Sequence, residues 1–240
     1  MKQDRRGFLK VAGVATATLA LGSVSFAARA ATEKLKIGAI GSGRIGSTLG
    51  GLWVKAGHEV MFSSLDLEHD KKLAAGVGPN ASAGSPREAA KFGDVLLISV
   101  PYHALPKVGK DLAGLLKGKV VIDTCNPFPD RDGDIGKWAQ EKGAGLASAE
   151  LLPGARIVRA FNAVGYSRMA DAAQRKPRAG MPIAGDDAKA IAIASSLIRD
   201  IGYEPVLVGS LAFGRHLVPR EPLAGERTPE EIRKIAATLT

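Results

Sequence analysis

After the first thirty residues, short apolar and β-branched runs alternate with longer segments whose apolar positions recur every three to four residues. Runs of the first kind predict strands, and the periodic segments between them predict helices. Several strand runs are apolar at successive positions, which is typical of strands covered on both faces. The pattern therefore predicts an α/β fold, a doubly wound and mostly parallel sheet with helices on both faces. The predicted strands are Leu35–Ile40, Glu59–Ser63, Val95–Val100, Val120–Thr124, Ile157–Phe161, Met181–Ala184 and Pro205–Val208, and the predicted helices are Ile45–Ala56, Pro86–Lys91, Leu105–Leu116, Ile135–Glu141 and Ala188–Ile201.

Two helix starts carry capping signals. Ser85 precedes Pro86 and stands three residues before Glu88, which is the pattern of a capping box. Asp186 or Asp187 could cap the long helix that follows. Residues 31–210 then form one domain, whereas residues 211–240 break the pattern and end in a Pro- and charge-rich tail. That tail is interpreted as a cover or as a dimerisation segment of a possible homodimer.

The first thirty residues have the organisation of an export signal and are set apart from the fold. The string from Asp4 to Lys10 matches the twin-arginine consensus at Arg5, Arg6, Phe8, Leu9 and Lys10. An uncharged apolar run follows, and residues 28–30 (Ala-Arg-Ala) supply a small-x-small cleavage pattern. The sequence therefore predicts a Tat signal peptide at residues 1–30, passage through the twin-arginine export machinery and a periplasmic or other extracytoplasmic location. An uncleaved membrane anchor is the alternative.

Charge and cysteine content exclude several classes of function. Five basic residues against one acid give the first thirty residues +4, which leaves +5 of the total +9 for the rest of the chain. This excess forms no block of like charge and few aromatics lie among the basic residues, so no nucleic-acid partner is expected. The single cysteine, Cys125, cannot form an internal disulfide. The four histidines are scattered, and no metal site is predicted.

The strongest chemical signal is a glycine-rich segment, Gly41-Ser42-Gly43-Arg44-Ile45-Gly46, in the pattern G-x-G-x-x-G. It follows a predicted strand and opens a predicted helix, and a second strand comes at the expected distance, which together indicate a dinucleotide-binding fingerprint. Gly41 permits the tight turn, Gly43 lets the backbone approach a pyrophosphate, and Gly46 allows the helix to pack closely on the strand. A Rossmann-type NAD(P)-binding domain is therefore expected.

The end of the second strand bears on the choice of nucleotide. NAD enzymes usually place a carboxylate there, but this chain has Ser63 and Ser64, with Asp66 coming later. Hydroxyl groups without a carboxylate suit a 2′-phosphate, and Arg44, Lys71 and Lys72 could add positive charge. NADP is therefore the predicted cofactor, and NAD stays possible because no arginine directly follows the strand.

Further motifs follow in order along the chain: Ile98-Ser99-Val100-Pro101, then residues 123–127 (Asp-Thr-Cys-Asn-Pro), 160–162 (Ala-Phe-Asn) and 184–187 (Ala-Gly-Asp-Asp). With the glycine-rich segment they make residues 35–210 similar to the NADPH:F420 oxidoreductase family (F420-dependent NADP reductases). They also resemble the cytosolic nicotinamide domain of six-transmembrane metalloreductases.

The resemblance implies roles that periodicity alone does not show. Ser63 and Ser64 match the family's adenosine-ribose loop, although the family's usual arginine is absent there. Val100, Pro101 and Tyr102 match a loop that lines the central ribose and pyrophosphate. Asn126 with Pro127, and Phe161 with Asn162, match segments that border the nicotinamide. The implied activity is direct hydride transfer between NADP and a small-molecule electron acceptor, either a deazaflavin (F420) or a flavin, without a dedicated acid or base.

Asn162 and His103 are the candidates for a catalytic role. His103 comes just after a strand's carboxyl end, where α/β sheets bind ligands, although a solvated loop histidine gives the same pattern. Cys125 lies near the inferred nicotinamide, but a free cysteine is more often a small core residue. Arg215 and His216 could reach the site from the C-terminal segment or could form a surface charge pair.

Two other functions stay open at this point. One is reduction of a small imine or ketone such as a pyrroline carboxylate, which normally requires a long helical dimerisation domain that residues after Gly209 are too few to supply. The other is a non-catalytic dinucleotide sensor or carrier. Export adds a further hypothesis: the cofactor is bound tightly, exported with the folded protein and regenerated in place.

Overall fold

A computed structural model describes residues 34–239, and the predicted signal peptide lies outside the described residues. The described residues form one compact unit. The strands are β1 Lys36–Ile40, β2 Glu59–Ser63, β3 Ala81–Ala83, β4 Val95–Ile98, β5 Val120–Asp123, β6 Arg156–Arg159, β7 Gly180–Gly185 and β8 Glu204–Gly209. The helices are α1 Arg44–Lys55, α2 Leu67–Val77, α3 Pro86–Phe92, α4 Leu105–Leu116, α5 Pro129–Lys142, α6 Ala144–Leu151, α7 Tyr166–Met169, α8 Ala188–Asp200 and α9 Pro229–Ala236.

The eight strands form one sheet in the order β3-β2-β1-β4-β5-β6-β7-β8. Every neighbouring pair is parallel except β6 and β7, which are antiparallel. The chain builds the sheet outward from β1 to β3 and then crosses back to β4 on the other side of β1. Such a reversal is the position at which open α/β sheets bind ligands. The predicted doubly wound, mostly parallel fold is confirmed.

Helices cover both faces of the sheet, which explains the apolar runs. In β4, every residue from Val95 to Ile98 is buried. Val95 and Leu97 join a core with Trp53 of α1, while Leu96 and Ile98 join a second core on the other face. A strand with cores on both sides has no polar face, so alternation disappears from its sequence.

The predicted caps are present. Ser85 and Glu88 form the full capping box at the start of α3. Asp187 caps α8 by accepting a 2.8 Å hydrogen bond from the Ala190 N–H. Asp186 has a different role, because it accepts a 2.9 Å hydrogen bond from the Leu211 N–H and so ties the C-terminal segment to the end of β7.

Several elements were not predicted. The strand β3 is only three residues long and contains no β-branched residue. The helix α2 is rich in charged residues, and only Asp70 and Ala74 are buried in it. Sequence periodicity is weak in both cases because little apolar surface is buried. The helices α6, α7 and α9 were missed as well.

The C-terminal segment packs on the reversed strands β7 and β8. Leu217, Leu223 and Ile232 form a third core with Ala184 and Val206. The helix α9 begins with a capping box formed by Thr228 and Glu231. The tail thus covers its own sheet, and its predicted role in a dimer stays a prediction. Within residues 34–239, no helix has both the length and the apolar character to cross a membrane.

Candidate cofactor and acceptor site

The carboxyl ends of the central strands open into two adjoining pockets. The first has a volume of about 490 Å³ and is lined by Ser42, Ser64, Leu65 and Asp66, together with residues of α4. The second has a volume of about 570 Å³ and lies over β5 and β6. Both are lined by Gly43, Ser99, Val100 and Pro101, so they meet at the glycine-rich loop. The second pocket is lined further by Arg44, Ile45, Thr124, Asn126, Phe128, Arg131, Phe161, Asn162, Ala163, Val164, Gly165, Tyr166, Pro219, Arg220 and Ala224.

The glycine-rich loop has the geometry that its sequence predicted. Gly41 has a φ of +100°, and a Cβ there would lie 2.2 Å from the Ser99 carbonyl oxygen. A Cβ on Gly46 would lie 1.9 Å from the Gly41 carbonyl oxygen, so both positions require glycine. Gly43 has open space around it and is the N-cap of α1, with no side chain capping the helix. Its neighbourhood offers free backbone N–H groups to an anion.

A buried carboxylate joins the two loops that line the first pocket. Asp70 of α2 is fully buried and accepts hydrogen bonds from the hydroxyls of Ser42 and Ser64, the second at 2.9 Å. Ser42 belongs to the glycine-rich loop and Ser64 to the loop after β2. Asp70 therefore fixes the position of one loop relative to the other. The sequence did not single out this residue, because it lies inside a predominantly polar helix.

The structure places the side chain of Ser63 away from both pockets. Its side chain is fully buried, and its hydroxyl donates a 2.7 Å hydrogen bond to the Ala39 carbonyl oxygen inside the sheet. Ser63 is also absent from the lining of both pockets. The last residue of a strand alternates between faces, and a local motif does not reveal which face it takes. Ser64 is the serine that reaches the first pocket.

The basic residues considered for a 2′-phosphate lie elsewhere. The charged residues that line the first pocket are Asp66, Lys107 and Asp111, and Lys107 is paired with Asp111 at 2.7 Å. Arg44 lines the second pocket instead, with its guanidinium 5.5 Å from the centre of the Tyr166 ring. The Lys71 ammonium is 2.8 Å from Glu68 on the same helix, and Lys72 is exposed.

Asn162 is the polar residue that the second pocket leaves without a partner. It is 3% exposed, and neither its side-chain oxygen nor its side-chain nitrogen has a hydrogen-bond partner in the protein. An unpaired buried amide costs free energy, about 1–3 kcal/mol, unless a ligand or water satisfies it. Asn162 therefore offers one donor and one acceptor to whatever occupies the pocket.

Two residues of the second pocket have strained backbones. Phe161 has a φ of +65° and Arg220 a φ of +75°, and within residues 34–239 they are the non-glycine residues with positive φ. Packing holds Phe161 in place, because Trp53 and Tyr203 contact its ring edge-on with centroid distances of 6.2 and 6.3 Å. Strained residues of this kind cluster at ligand-binding sites.

A buried ion pair lies beneath the second pocket and fixes the loops that line it. Arg159 and Asp123 are both fully buried, with their side chains 2.6 Å apart. Arg159 also donates to the Asn126 side-chain oxygen at 3.2 Å, and the Asn126 amide donates to the Asn162 carbonyl oxygen at 2.7 Å. This connected set of hydrogen bonds fixes the loops after β5 and β6. Arg159 also donates to the Leu217 carbonyl oxygen and so holds the C-terminal segment in place.

The structure also places the side chains of Tyr102 and Pro127 outside both pockets. Tyr102 is fully buried, and its hydroxyl lies 3.0 Å from the Ala144 carbonyl oxygen, to which it donates. Burial raises its pKa far above the ordinary value. Pro127 lines a neighbouring third pocket and is absent from the second. A motif on a loop fixes which residues are near a site but not the direction of each side chain.

Cys125 and His103 are also defined by their surroundings. Cys125 is buried, and burial raises the pKa of its thiol well above the ordinary value, so it is an inert core residue. His103 is half exposed and lines neither pocket, and its Nδ1 lies 2.9 Å from the Asp132 carboxylate. Burial acts to raise the pKa of Asp132, but hydrogen bonds from Arg131, the Phe128 N–H and His103 outweigh it and lower that pKa to about 2.

Aromatic rings with arginines beside them stand at the rim of the second pocket. Phe128 and Tyr166 are 40% and 41% exposed, and the guanidiniums of Arg131 and Arg44 lie 5.0 and 5.5 Å from the respective ring centres. Sequence reasoning missed Phe128, Arg131, Tyr166 and Arg220. Exposed aromatic side chains beside strand ends could have indicated the first and third of these. Within residues 34–239, no three His, Cys, Asp or Glu side chains come together as a metal site.

Comparison with known proteins agrees with this geometry. Residues 36–127 match the family model described as NADP oxidoreductase, coenzyme F420-dependent. The metalloreductase STEAP3 of Rattus norvegicus is 30% identical over 206 residues, covering 82% of this chain and 39% of its own length. The chain thus spans about two fifths of that curated relative.

Solved structures share the fold. A hypothetical protein from Sinorhizobium meliloti superposes with a TM-score of 0.69 at 24% identity, covering 82% of this chain and 96% of the other. A protein described as an F420-dependent NADP reductase, from Arthrobacter sp. FB24, gives a TM-score of 0.63 at 20% identity, covering 75% and 87%. The described part of the chain therefore has the Rossmann-type fold of the NAD(P)-dependent oxidoreductases to which it is similar.

Proposed function

We propose that this protein is an NADP-linked oxidoreductase that transfers hydride between the nicotinamide and a planar ring acceptor of the flavin or deazaflavin (F420) type. The observation that carries the proposal is the second pocket. It combines a buried, unpaired amide at Asn162 with exposed aromatic rings at its rim, Phe128 and Tyr166. An amide suits the nicotinamide carboxamide, and flat aromatic rings suit a flat acceptor.

The residues present fit a dinucleotide cofactor. The free space at Gly43 and the uncapped start of α1 suit a pyrophosphate, the first pocket suits an adenosine, and Asn162 has a free donor and acceptor for a carboxamide. When bound, the nicotinamide supplies the hydride.

The chain's own residues bind and orient the two rings. Asp70 fixes the loops of the first pocket, and the Arg159–Asp123 pair fixes the loops of the second. The contribution of such positioning is entropic, because the reacting rings are held together in the correct orientation. No side chain of the described pockets is required to transfer a proton.

NAD is a second candidate cofactor for the same proposed function. NADP is the cofactor in the family description, whereas Asp66 lines the first pocket, and a carboxylate there favours the free ribose hydroxyls of NAD. Titration of the protein with NADPH and with NADH measures the preference directly. The variant Ser64→Arg supplies the missing guanidinium and is expected to improve NADPH affinity about tenfold relative to NADH.

The test of the proposed function is a transfer assay on the purified full chain. We expect NADPH to bind and to be oxidised on addition of FMN, riboflavin or F420, as followed by the absorbance of the reduced nicotinamide. Binding without oxidation by any of the three would instead support a dinucleotide sensor or carrier. Oxidation only by cyclic imines would support the imine reductase alternative. The open second pocket favours an acceptor-binding enzyme over a sensor.

We also propose that the protein is exported in folded form by the twin-arginine machinery with its cofactor bound. The support is the string around Arg5 and Arg6, together with the absence of an evident cofactor supply outside the cytoplasm. Substituting both arginines by lysine should retain the protein in the cytoplasmic fraction. Slow loss of NADP(H) on extended dialysis is expected, and rapid loss would contradict the carried cofactor.

A further inference from the structure

A third pocket adjoins the second. It has a volume of about 390 Å³ and lies between the start of α5, the start of α6 and the C-terminal segment. Phe128, Pro219 and Arg220 line both the second and the third pocket, so the two spaces are contiguous. A molecule whose ring lies in the second pocket can therefore extend a substituent into the third.

The third pocket contains two guanidiniums without partners. Arg215 and Arg220 both line it, and within residues 34–239 neither makes a hydrogen bond or an ion pair. The remaining arginines of the second pocket are engaged: Arg131 binds Asp132 at 2.7 Å and Arg44 stacks beside Tyr166. Two free planar donors in one recess are suited to a carboxylate or phosphate, which a guanidinium binds with paired hydrogen bonds.

The two carboxylates that line the third pocket, Asp130 and Glu221, do not pair with these arginines. Glu221 lies 3.8 Å from the His216 Nδ1, and Asp130 stands in the first turn of α5, where the helix dipole favours a negative charge. Among residues 34–239, neither carboxylate forms an ion pair with Arg215 or Arg220, so the guanidiniums keep their hydrogen-bond donors free.

The backbone of Arg220 adds a second argument. Its φ of +75° is a conformation that non-glycine residues adopt at an energetic cost. That strained residue is the one that lines both pockets. Strain at a residue between two binding spaces is expected where the side chain must point at a ligand.

We propose that the hydride acceptor carries an anionic substituent, a carboxylate or phosphate, which Arg215 and Arg220 bind in the third pocket while the ring lies in the second. This inference rests on the proposed function and specifies the class of acceptor. The protein thereby distinguishes acceptors that share one ring but differ in the charge of the side chain.

FMN and riboflavin provide the test, because they share the reacting ring and differ by one phosphate. The full chain is assayed with NADPH and each flavin, and flavin binding is measured separately by fluorescence quenching in the presence of NADP. We expect FMN to have a kcat/KM at least about tenfold higher than riboflavin, with most of the difference in KM. We expect inorganic phosphate to compete with FMN and not with riboflavin.

The variants are Arg215→Ala and Arg220→Gly, the second of which also tolerates the positive φ. Each should lower the FMN-to-riboflavin ratio, and the double variant should abolish it. Arg199→Ala, an exposed arginine of α8, is the matched control and should leave the ratio unchanged. An equal loss for both flavins, or an unchanged ratio in the double variant, would overturn the anionic subsite. Failure to reduce FMN, riboflavin and F420 alike with NADPH bound would overturn the proposed function itself.

Discussion

The first and the second pocket share the glycine-rich loop but are built in different ways. The first pocket takes its walls from the turns after β1, β2 and β4, which lie within one continuous stretch of sequence. The second takes its walls from the loops after β5 and β6 and from residues 219–224, which arrive from beyond the end of the sheet. The first is shaped by backbone conformation together with the buried carboxylate of Asp70, whereas the second depends on a buried ion pair, two strained residues and an unpaired amide. A site of the first kind follows from local motifs, and one of the second kind follows only from tertiary contacts.

The largest expected effect comes from breaking the ion pair under the second pocket. Arg159→Met leaves Asp123 as an unpaired buried charge, so the free energy of unfolding should fall by about 3–5 kcal/mol in urea titrations. Arg199→Met removes a half-exposed partner of Glu204 and should cost about 1 kcal/mol or less.

The double variant Asp123→Leu with Arg159→Met should be more stable than the sum of the two single changes predicts, because no charge is left unpaired. An Arg159→Met protein as stable as the Arg199→Met control would show that the second pocket does not depend on this pair.

The next largest effect should come from Gly43, where the two pockets meet. A Cβ at Gly43 meets no atom within 4 Å, so Gly43→Ala should fold with unchanged stability. The added methyl group occupies space next to the expected pyrophosphate and should weaken NADPH binding by at least about tenfold in calorimetric titration. Gly114→Ala, also without neighbours but in α4, is the control and should bind NADPH normally. Tight binding by Gly43→Ala would place the pyrophosphate elsewhere.

Substitution of Asn162 should have a smaller effect, in which the free energy of unfolding and the rate of hydride transfer change in opposite directions. Asn162→Leu removes two unpaired polar atoms, so the cofactor-free protein should unfold at the same or a higher free energy, by up to about 1 kcal/mol. Hydride transfer by the same variant should fall, since the carboxamide loses its partner. Asn126→Leu is the comparison, because it removes hydrogen bonds already made to Arg159 and Asn162 and should lower stability. Loss of stability in Asn162→Leu would contradict the unpaired amide.

A pH dependence is expected next to the second pocket. The pKa of Asp132, about 2, lies below the ordinary value of about 4. Its contribution to stability is therefore fully present above about pH 4 and is lost as the pH falls towards about 2. Unfolding titrations over this range should show a steeper fall for the wild type than for Asp132→Asn. Asp134→Asn, on the same helix and fully exposed, should behave like the wild type. Parallel profiles for wild type and Asp132→Asn would contradict the assignment.

The sequence predicted most of the sheet because each central strand is buried on both faces. It missed β3 and α2, since three small residues and a polar helix leave little periodic signal. It predicted the glycine-rich loop for the same local reason, as the turn requires glycine at Gly41 and Gly46 whatever the rest of the chain does.

Other features of the site could not be predicted, because they depend on residues far apart in sequence. Arg159 contacts Asn126 and Leu217, which are far from it in sequence, so no local sequence pattern predicts these contacts. The direction of a side chain is equally non-local, which is why Ser63 and Tyr102 were assigned to the cofactor although both point into the interior. The strain at Phe161 depends on its packing between two other aromatic rings.

The position of residues 219–224 in the second pocket has a consequence for synthesis and for evolution. The strands β1 to β5 and their turns emerge from the ribosome before residue 130 does, so the glycine-rich turn can form early in synthesis. One wall of the second pocket is missing until Ala224 has emerged. The glycine-rich loop and this wall of the second pocket are also encoded in distant parts of the gene. Changes confined to the C-terminal segment can therefore alter one wall of the second pocket while the glycine-rich loop is passed on unaltered.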